Sequence, residues 1–242
     1  MSFQQFAEQP VVYADESSRA AFLQRVALYT GGSLSIAAVS AVVSALLVLV
    51  VPPLQNQWVS LALIFGSFFV ANNVARNMIA SSENKMPGFI LGSVAQGFAM
   101  GWLLLAAVMV SSQVYPDSPA GGLALIAQAG GLTGITALSM VVWLWSGPKD
   151  LGMVGAALRV LWLPMLILMV ISFVFPIGGV VGILLSGAFV LVSGMGLVYQ
   201  LNQVIHVMST RQHVEAGYTI SIGLLVLFWN ILVLLMRLQS RD

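Results

Sequence analysis

Uncharged polar side chains are the residues of this chain that could do chemistry inside its long apolar stretches. The amides of interest in those stretches are Asn72, Asn73, Gln96, Gln128, Gln200, Asn202 and Asn230. The acids Glu83, Asp117, Asp150 and Glu215 fall in loops or at helix ends. A carboxyl group inside a bilayer is desolvated, which shifts its pKa and makes it a proton switch. The sequence therefore lacks the usual device of a proton pump or of a carboxylate-gated cation path.

Two interpretations of the amides are open. In the first they hydrogen-bond neighbouring helices, each bond contributing about 0.6 kcal/mol. In the second they line a hydrated cavity that opens to the cytoplasm. Asn230 would meet Gln200 only if their helices are staggered, because it lies past the middle of its own apolar stretch. The residues of this predicted polar latch or pore are Gln200, Asn202, Asn230, Arg76, Asn72 and Asn73.

Two histidines, His206 and His213, flank Arg211 in a polar stretch near the end of the chain. We interpret them as loop side chains, and they form a candidate pH sensor because imidazole titrates near neutrality. A metal site would need further ligands, and the sequence has no HExxH motif or paired acidic cluster. It also has no Walker motif and no GxSxG motif. We therefore predict no catalytic residue, no enzyme activity, no metal and no cofactor.

Small residues recur at the spacing that lets two helices approach closely. Gly88 and Gly92 form one pair, and Gly97 and Gly101 form another. The stretch 180–205 carries further small residues, among them Gly187 and Gly194. We predict that these six glycines lie in helix contacts within the molecule, and a homodimer face is the alternative.

The composition indicates a membrane protein. Of 242 residues, 59% are hydrophobic and only 7% are charged, and the mean hydropathy is +0.98. Soluble domains carry about 25% charged residues. The apolar runs are continuous rather than alternating, which excludes a β-barrel. A net charge of +1 gives no basic surface for nucleic acid, and the absence of Cys excludes disulfides.

The apolar runs predict an all-α fold, a polytopic integral membrane protein with a bundle of seven transmembrane helices. Each run approaches the roughly 20 residues that a helix needs to cross a bilayer. We expect a polar cytoplasmic tail over 1–20 and a single transmembrane domain over 21–242. The predicted spans are 21–51, 58–79, 87–111, 121–145, 151–175, 180–205 and 218–238.

The Lys and Arg residues predict the orientation, because cytoplasmic loops carry an excess of them. With seven spans, one side holds Arg19, Arg25, Arg76, Lys85, Lys149, Arg159 and Arg211. The other side holds only Arg237 and Arg241, both in the tail. We therefore expect a cytoplasmic N-terminus and an external C-terminus. The compact loops favour a bacterial inner membrane.

Several short motifs, in order, resemble the Bax inhibitor-1-like family, also known as the transmembrane Bax inhibitor motif proteins. Residues 19–29 resemble the start of the family's first helix, and 84–101 resemble its second loop and third helix. Residues 136–155 are similar to the family's T…KDL…G junction, and Phe175 stands where its helix five ends. Residues 199–206, YQLNQVIH, are similar to YDTQ…IIH in helix six. Residues 228–238 resemble YLDI…LLRL in helix seven.

The resemblance implies a seven-helix bundle with a calcium leak or a role in stress regulation. The family holds an aspartate in helix six and another in helix seven, where this chain has Gln200 and Asn230. An amide hydrogen-bonds but neither ionises nor binds Ca²⁺ strongly. The resemblance thus implies a weak cation leak with an uncharged latch. The alternative is a non-conducting protein that modulates membrane proteolysis or another membrane complex. The expected partner is the lipid bilayer. A membrane protease, another membrane protein and a second copy of the chain are open alternatives as further partners.

Overall fold

Helices account for the regular structure in the part of the chain that the computed structural model describes, residues 10–115, 121–145, 151–174 and 178–239. One isolated bridge joins Pro10 to Ser209. Short 3-10 turns cover Val11–Tyr13, Pro52–Gln55 and Gly121–Leu123. The long helices are α1 (Glu16–Val50), α2 (Gln57–Ser81), α3 (Met86–Val114), α4 (Ala124–Trp145), α5 (Gly152–Val174), α6 (Gly179–His206) and α7 (His213–Gln239).

The helices confirm the all-α, polytopic membrane fold. Within the described ranges, six helical segments are long and apolar enough to cross a membrane, and all but α5 contribute one. In α5 the apolar segment found by the same criterion is Gly152–Leu161, which is shorter than a membrane span. The count of seven spans therefore stays a prediction. The predictions that involve Asp117, Lys149, Asp150, Phe175 and Arg241 fall on residues outside the described part of the chain.

Helix α1 begins five residues before the predicted first span. Asp15 caps it, because its carboxylate accepts a hydrogen bond from the Ser18 backbone N–H at 3.0 Å. The Ser17 hydroxyl donates to the same carboxylate. Hydrogen bonds from Ser17 and Ser18 lower the pKa of Asp15 from 3.8 to about 2. Polar residues that look like the end of a tail therefore form the first turn of a helix.

Helix α7 likewise begins earlier than predicted, at His213 rather than residue 218. Its first turn contains Glu215, and a negative charge near a helix N-terminus is favourable. The Glu215 carboxylate also forms an ion pair with Lys85 Nζ at 2.7 Å. The expected loop of twelve residues is therefore much shorter, and both histidines lie at helix ends.

Helix α2 contains a π-helical stretch at Val70–Ala75. Such stretches are rare in proteins, and those that occur are often found at functional sites. In this stretch the Asn72 side-chain amide donates to the Phe68 carbonyl at 3.0 Å, and the Asn73 amide donates to the Phe69 carbonyl at 3.3 Å.

The contacts divide the chain into two compact units, and each is described by itself. The first unit comprises Met1–Ala106 and Val204–Leu225. In it α1 and α3 run side by side in the same direction. The Ser40 hydroxyl donates to the Val94 carbonyl, and the Ser44 hydroxyl donates to the Phe98 carbonyl, both at 2.8 Å.

The second unit comprises Ala107–Gln203 and Val226–Asp242. Here α6 and α7 are antiparallel, because Arg237 near the end of α7 donates to the Gly182 carbonyl near the start of α6 at 2.7 Å. Helix α5 packs on α6 through Gly155, where an added Cβ would lie 2.6 Å from Tyr199 Cε2.

Candidate functional site

Three serines form a hydrogen-bonded cluster in the first unit, one each from α1, α3 and α7. The Ser33 hydroxyl lies 2.8 Å from the Ser93 hydroxyl and 2.8 Å from the Ser221 hydroxyl. All three side chains are fully buried. The Ser93 and Ser221 hydroxyls also lie within hydrogen-bond distance of carbonyls of their own helices, and the three hydroxyl protons are shared among these four contacts. A cluster of this kind links three helices without any charge.

A buried tyrosine extends this polar region to the π-helical stretch of α2. The Tyr218 hydroxyl donates to the Ala71 carbonyl at 2.8 Å. It passes over Gly92, where an added Cβ would lie 1.9 Å from the hydroxyl oxygen. A π-helical turn disturbs the regular hydrogen-bond ladder, so it offers a carbonyl that a side chain can reach. The glycine in α3 is what makes room for that contact.

Gln96 lies beside the same tyrosine and is only 3% exposed. Its amide interacts with the Tyr218 hydroxyl, but the geometry is too poor for a hydrogen bond, so neither the amide nitrogen nor the amide oxygen has a well-formed partner among the described residues. Buried polar atoms are normally satisfied by protein or by ordered water. Arg76, at the end of the π-helical stretch, contributes positive potential at the tyrosine hydroxyl. We define the polar seam as Ser33, Ser93, Gln96, Tyr218 and Ser221.

The chemistry available to the polar seam is hydrogen bonding rather than acid–base exchange. It is built from hydroxyls and one amide, and it contains no carboxylate. It can hold water through Gln96, and it offers oxygen atoms but no negative charge to a cation. Among the described residues no three His, Asp or Glu side chains gather in a way that could hold a metal.

The two predicted amides of α2 are satisfied within their own helix. The Asn72 and Asn73 side chains bond to carbonyls of the preceding turn of their own helix. Asn73 and Arg76 are exposed, and Asn72 is half-buried. Two of the three thus face outward from the first unit rather than into it.

Gln200 and Asn230 make no hydrogen bond to each other. The Asn230 amide donates to the Val226 carbonyl of its own helix at 2.9 Å, and the Gln200 side-chain oxygen is buried without a described partner. Arg237 sets the register of α6 against α7 through Gly182. Gln200 lies eighteen residues beyond Gly182, and Asn230 lies seven before Arg237.

At about 1.5 Å of rise per residue, this register places the two amides about 16 Å apart along the helix axes. The reach of the arginine side chain changes that separation by several ångströms at most, and even a separation of roughly 10 Å is beyond a hydrogen bond. Asn202, on the same helix as Gln200, is half-buried, and the neighbouring Gln203 amide donates to the Tyr199 hydroxyl at 2.7 Å. The structure thus places the two amides at different depths.

The histidines are not solvated loop side chains. His206 is the last residue of α6 and half-buried, and neither of its ring nitrogens has a hydrogen-bond partner among the described residues. His213 is the first residue of α7, and its ring centroid lies 5.4 Å from that of Tyr29. Their role as pH sensors stays a prediction.

The four glycines of α3 lie at close helix contacts. An added Cβ at Gly88 would lie 2.9 Å from the Ala75 carbonyl oxygen. At Gly97 it would lie 2.0 Å from the Ala37 carbonyl oxygen, and at Gly101 it would lie 2.5 Å from the Ser44 hydroxyl. Gly187 has no described atom within 4 Å of such a Cβ, and Gly194 has only the end of Met140 at 3.5 Å. Among these six glycines, the close contacts therefore involve those of α3 and not those of α6.

Sequence reasoning missed the Lys85–Glu215 ion pair and the serine cluster. The two charged residues are far apart in sequence, and their side chains are 28% and 19% exposed. The only signal was that both lie on the same predicted side of the membrane. A lone serine in an apolar helix carries no signal at all, since small residues are common in such helices.

Comparison with known proteins bears on the whole chain. None of the curated proteins compared with it matches. A family model described as "Inhibitor of apoptosis-promoting Bax1" matches residues 19–241, which is nearly all of the chain and includes every long helix except the first turn of α1. The match agrees with the multi-pass helical fold, and its range spans the motifs at 19–29, 199–206 and 228–238. The chain belongs to the Bax inhibitor-1-like family.

Proposed function

We propose that this protein supports a weak cation leak, with calcium among the ions, that is not gated by a carboxylate. The observation that carries the proposal is the charge-free polar seam in the first unit. Its hydroxyls, together with the unsatisfied Gln96 amide, offer a cation oxygen atoms and a place for water. Weak oxygen ligands of this kind suit a leak rather than a tight site, because Ca²⁺ binds strongly only where carboxylates are present.

The acids of the described chain support the absence of a carboxylate gate. Asp15 and Glu16 lie at the start of α1, and Glu83 lies between α2 and α3. Glu215 is in the first turn of α7 and is paired with Lys85. None lies in the middle of a span. The leak should therefore be insensitive to the protonation of an acid.

The experiment is ion flux in liposomes that contain the purified protein and an internal calcium indicator. With both candidate pH sensors removed by His206→Gln and His213→Gln, we expect a slow calcium influx above that of empty liposomes, with a rate that stays the same from about pH 6 to about pH 8. Gln96→Leu removes the unsatisfied amide at similar volume and should lower the rate. Gln128→Leu is the matched control, because Gln128 is an exposed amide on α4. Influx that changes steeply with pH, or equal effects of both variants, would contradict the proposal.

A second candidate function is favoured by one face of α4. Gly130, Gly131 and Gly134 are exposed, and an added Cβ at each meets no described atom within 4 Å. Gln128 lies exposed beside them. A glycine-rich helix face with a polar residue is the kind of surface on which another transmembrane helix packs. On this proposal the protein conducts nothing and regulates a membrane protease or another membrane complex.

Site-specific photo-crosslinking separates the two functions. A photoreactive side chain at Gly134 should capture a membrane protein from intact cells if the second function holds, and the same probe at Val39 on α1 serves as the control. Val39 is 66% exposed. Absence of calcium flux together with capture only at Gly134 would support the regulator and reject the leak. Flux without such capture would do the reverse.

We also propose that the protein resides in a bacterial inner membrane with its N-terminus in the cytoplasm. The distribution of Lys and Arg supports this orientation. Because the chain has no Cys, single introduced cysteines report on sidedness without background. Asn84→Cys should react with a membrane-impermeant maleimide only after the cells are opened, whereas Asn56→Cys should react in intact cells. The opposite pattern would invert the proposed orientation.

A further inference from the structure

A groove of about 530 Å³ opens on the first unit, where the N-terminal parts of α1, α3 and α7 meet. It has a polar end and an apolar end. Helix α1 contributes most of the wall, α3 contributes one aromatic ring, and α7 contributes its first residue. The lining residues are Arg25, Leu28, Tyr29, Gly32, Phe89 and His213.

The polar end carries positive charge without a matching acid. Arg25 is exposed, and its guanidinium makes no hydrogen bond or ion pair with any described residue. His213 stands at the N-terminus of α7, where the helix dipole favours an anion, and its Nδ1 is buried without a described partner. Glu215 is two residues further along α7 and is already paired with Lys85 at 2.7 Å. This end therefore attracts an anion.

The apolar end continues along α1 into the part of the helix that crosses the membrane. Arg25, Leu28 and Gly32 are separated by three and four residues, so they lie on one face of the helix. Gly32 leaves the groove open, because a Cβ there would only just touch Phe89, at 4.0 Å. Leu28 is 67% exposed. A charged end followed by an open apolar channel fits a molecule with an anionic head and a hydrocarbon chain.

We propose that this groove binds one anionic phospholipid. Its phosphate lies against the Arg25 guanidinium and the N-terminus of α7, and an acyl chain runs past Leu28 and Gly32 towards Phe89. Arginine at the edge of a transmembrane bundle is suited to lipid phosphates. The lining contains no carboxylate, so the ammonium group of a zwitterionic lipid would find no partner. The site therefore selects phosphatidylglycerol over phosphatidylcholine.

The test uses the full-length protein in detergent, with bound lipid counted by native mass spectrometry during titration with dioleoylphosphatidylglycerol or dioleoylphosphatidylcholine. Arg25→Gln removes the charge, and Arg19→Gln removes an exposed arginine on the same helix outside the groove. Gly32→Leu fills the apolar end, and Gly31→Leu adds the same side chain at an open neighbouring position. We expect Arg25→Gln and Gly32→Leu each to weaken phosphatidylglycerol binding about tenfold. The two controls should bind as the wild type does.

Three results would overturn the proposal. Equal losses in Arg19→Gln and Arg25→Gln would show diffuse attraction to positive charge rather than a site. Equal binding of the two lipids would show that the anionic head is not recognised. Competition by glycerol 3-phosphate at the same concentration as the lipid would show a site for free phosphate. Because Gly32→Leu keeps all charges, it tests the acyl channel even if Arg25→Gln lowers stability.

Discussion

Substitution of Gly97 by alanine should separate α1 from α3. A Cβ at this position would lie 2.0 Å from the Ala37 carbonyl oxygen, whereas carbon–oxygen contacts between backbones are about 3.3–3.6 Å. The atom in the way belongs to the backbone, so no rotamer change relieves the clash. The two helices must therefore move apart locally by about 1.3 Å.

This displacement would break the serine contacts along the same interface. The Ser40–Val94 and Ser44–Phe98 hydrogen bonds and the Ser33–Ser93 contact are each 2.8 Å long. An opening of about 1.3 Å would take each to about 4 Å, beyond a hydrogen bond. Three lost bonds at about 0.6 kcal/mol each account for roughly 2 kcal/mol.

Gly31→Ala on α1 is the matched control, because a Cβ there meets no described atom within 4 Å. Both changes gain the same helix propensity, about 1 kcal/mol, so that contribution cancels. We expect Gly97→Ala to be less stable than Gly31→Ala by about 2–3 kcal/mol. Reversible unfolding in mixed micelles of dodecylmaltoside and dodecyl sulfate, followed by tryptophan fluorescence, measures the difference. A difference below about 0.5 kcal/mol would refute the proposed close packing.

Three further predictions concern polar contacts. A double-mutant cycle with Lys85→Met and Glu215→Gln should give a coupling of about 1 kcal/mol in unfolding free energy. High salt should reduce this coupling, and a coupling that salt does not change would contradict the ion pair. Ser33→Ala should lower the free energy of unfolding by about 1–2 kcal/mol. Ser221→Ala should cost less when it is added to Ser33→Ala than when it is made alone, and additive effects would show that the hydroxyls are not one cluster. The hydrogen bonds that hold the pKa of Asp15 at about 2, below its ordinary 3.8, stabilise α1 above that range and are lost as the pH falls towards 2. The protection factor of the Ser18 amide, which compares its exchange rate with that of an unstructured peptide at the same pH, should therefore be constant near neutral pH and fall below about pH 4, and the same fall in Asp15→Asn would rule out this cause.

The sequence predicts the spans well because membrane crossing depends on length and hydropathy, which are local properties. It also indicates which helix packs closely, since the pairs Gly88/Gly92 and Gly97/Gly101 both lie on α3, the first against α2 and Tyr218 and the second, on the opposite face, against α1. It misplaces the start of α7, because the residues from His213 are polar and resemble a loop. In the folded protein Glu215, in the first turn of this helix, forms an ion pair with Lys85. The two residues are far apart in sequence, so only the fold brings them together.

The polar seam was beyond sequence reasoning for a different physical reason. Tyr218 reaches the Ala71 carbonyl across Gly92, and this requires α2 to adopt a π-helical turn at the right depth. No local pattern predicts where a helix departs from regular hydrogen bonding. The prediction singled out Gln200 and Asn230 because relatives hold acids there, and such an alignment carries no information on the depth of each residue in the bundle.

The register of α6 and α7 leads to a final prediction about acids introduced at these two positions. Two carboxylates share a proton only when they are close enough to interact strongly, and their titration is then coupled. With Gln200 and Asn230 roughly 10–16 Å apart along the helix axes, such coupling should be absent. The carboxyl groups introduced by Gln200→Asp and Asn230→Asp should each titrate with a single transition when their infrared band is followed against pH. The double variant should then give the sum of the two profiles, whereas a new transition seen only in the double variant would show that the two side chains meet and that the register set by Arg237 and Gly182 does not hold.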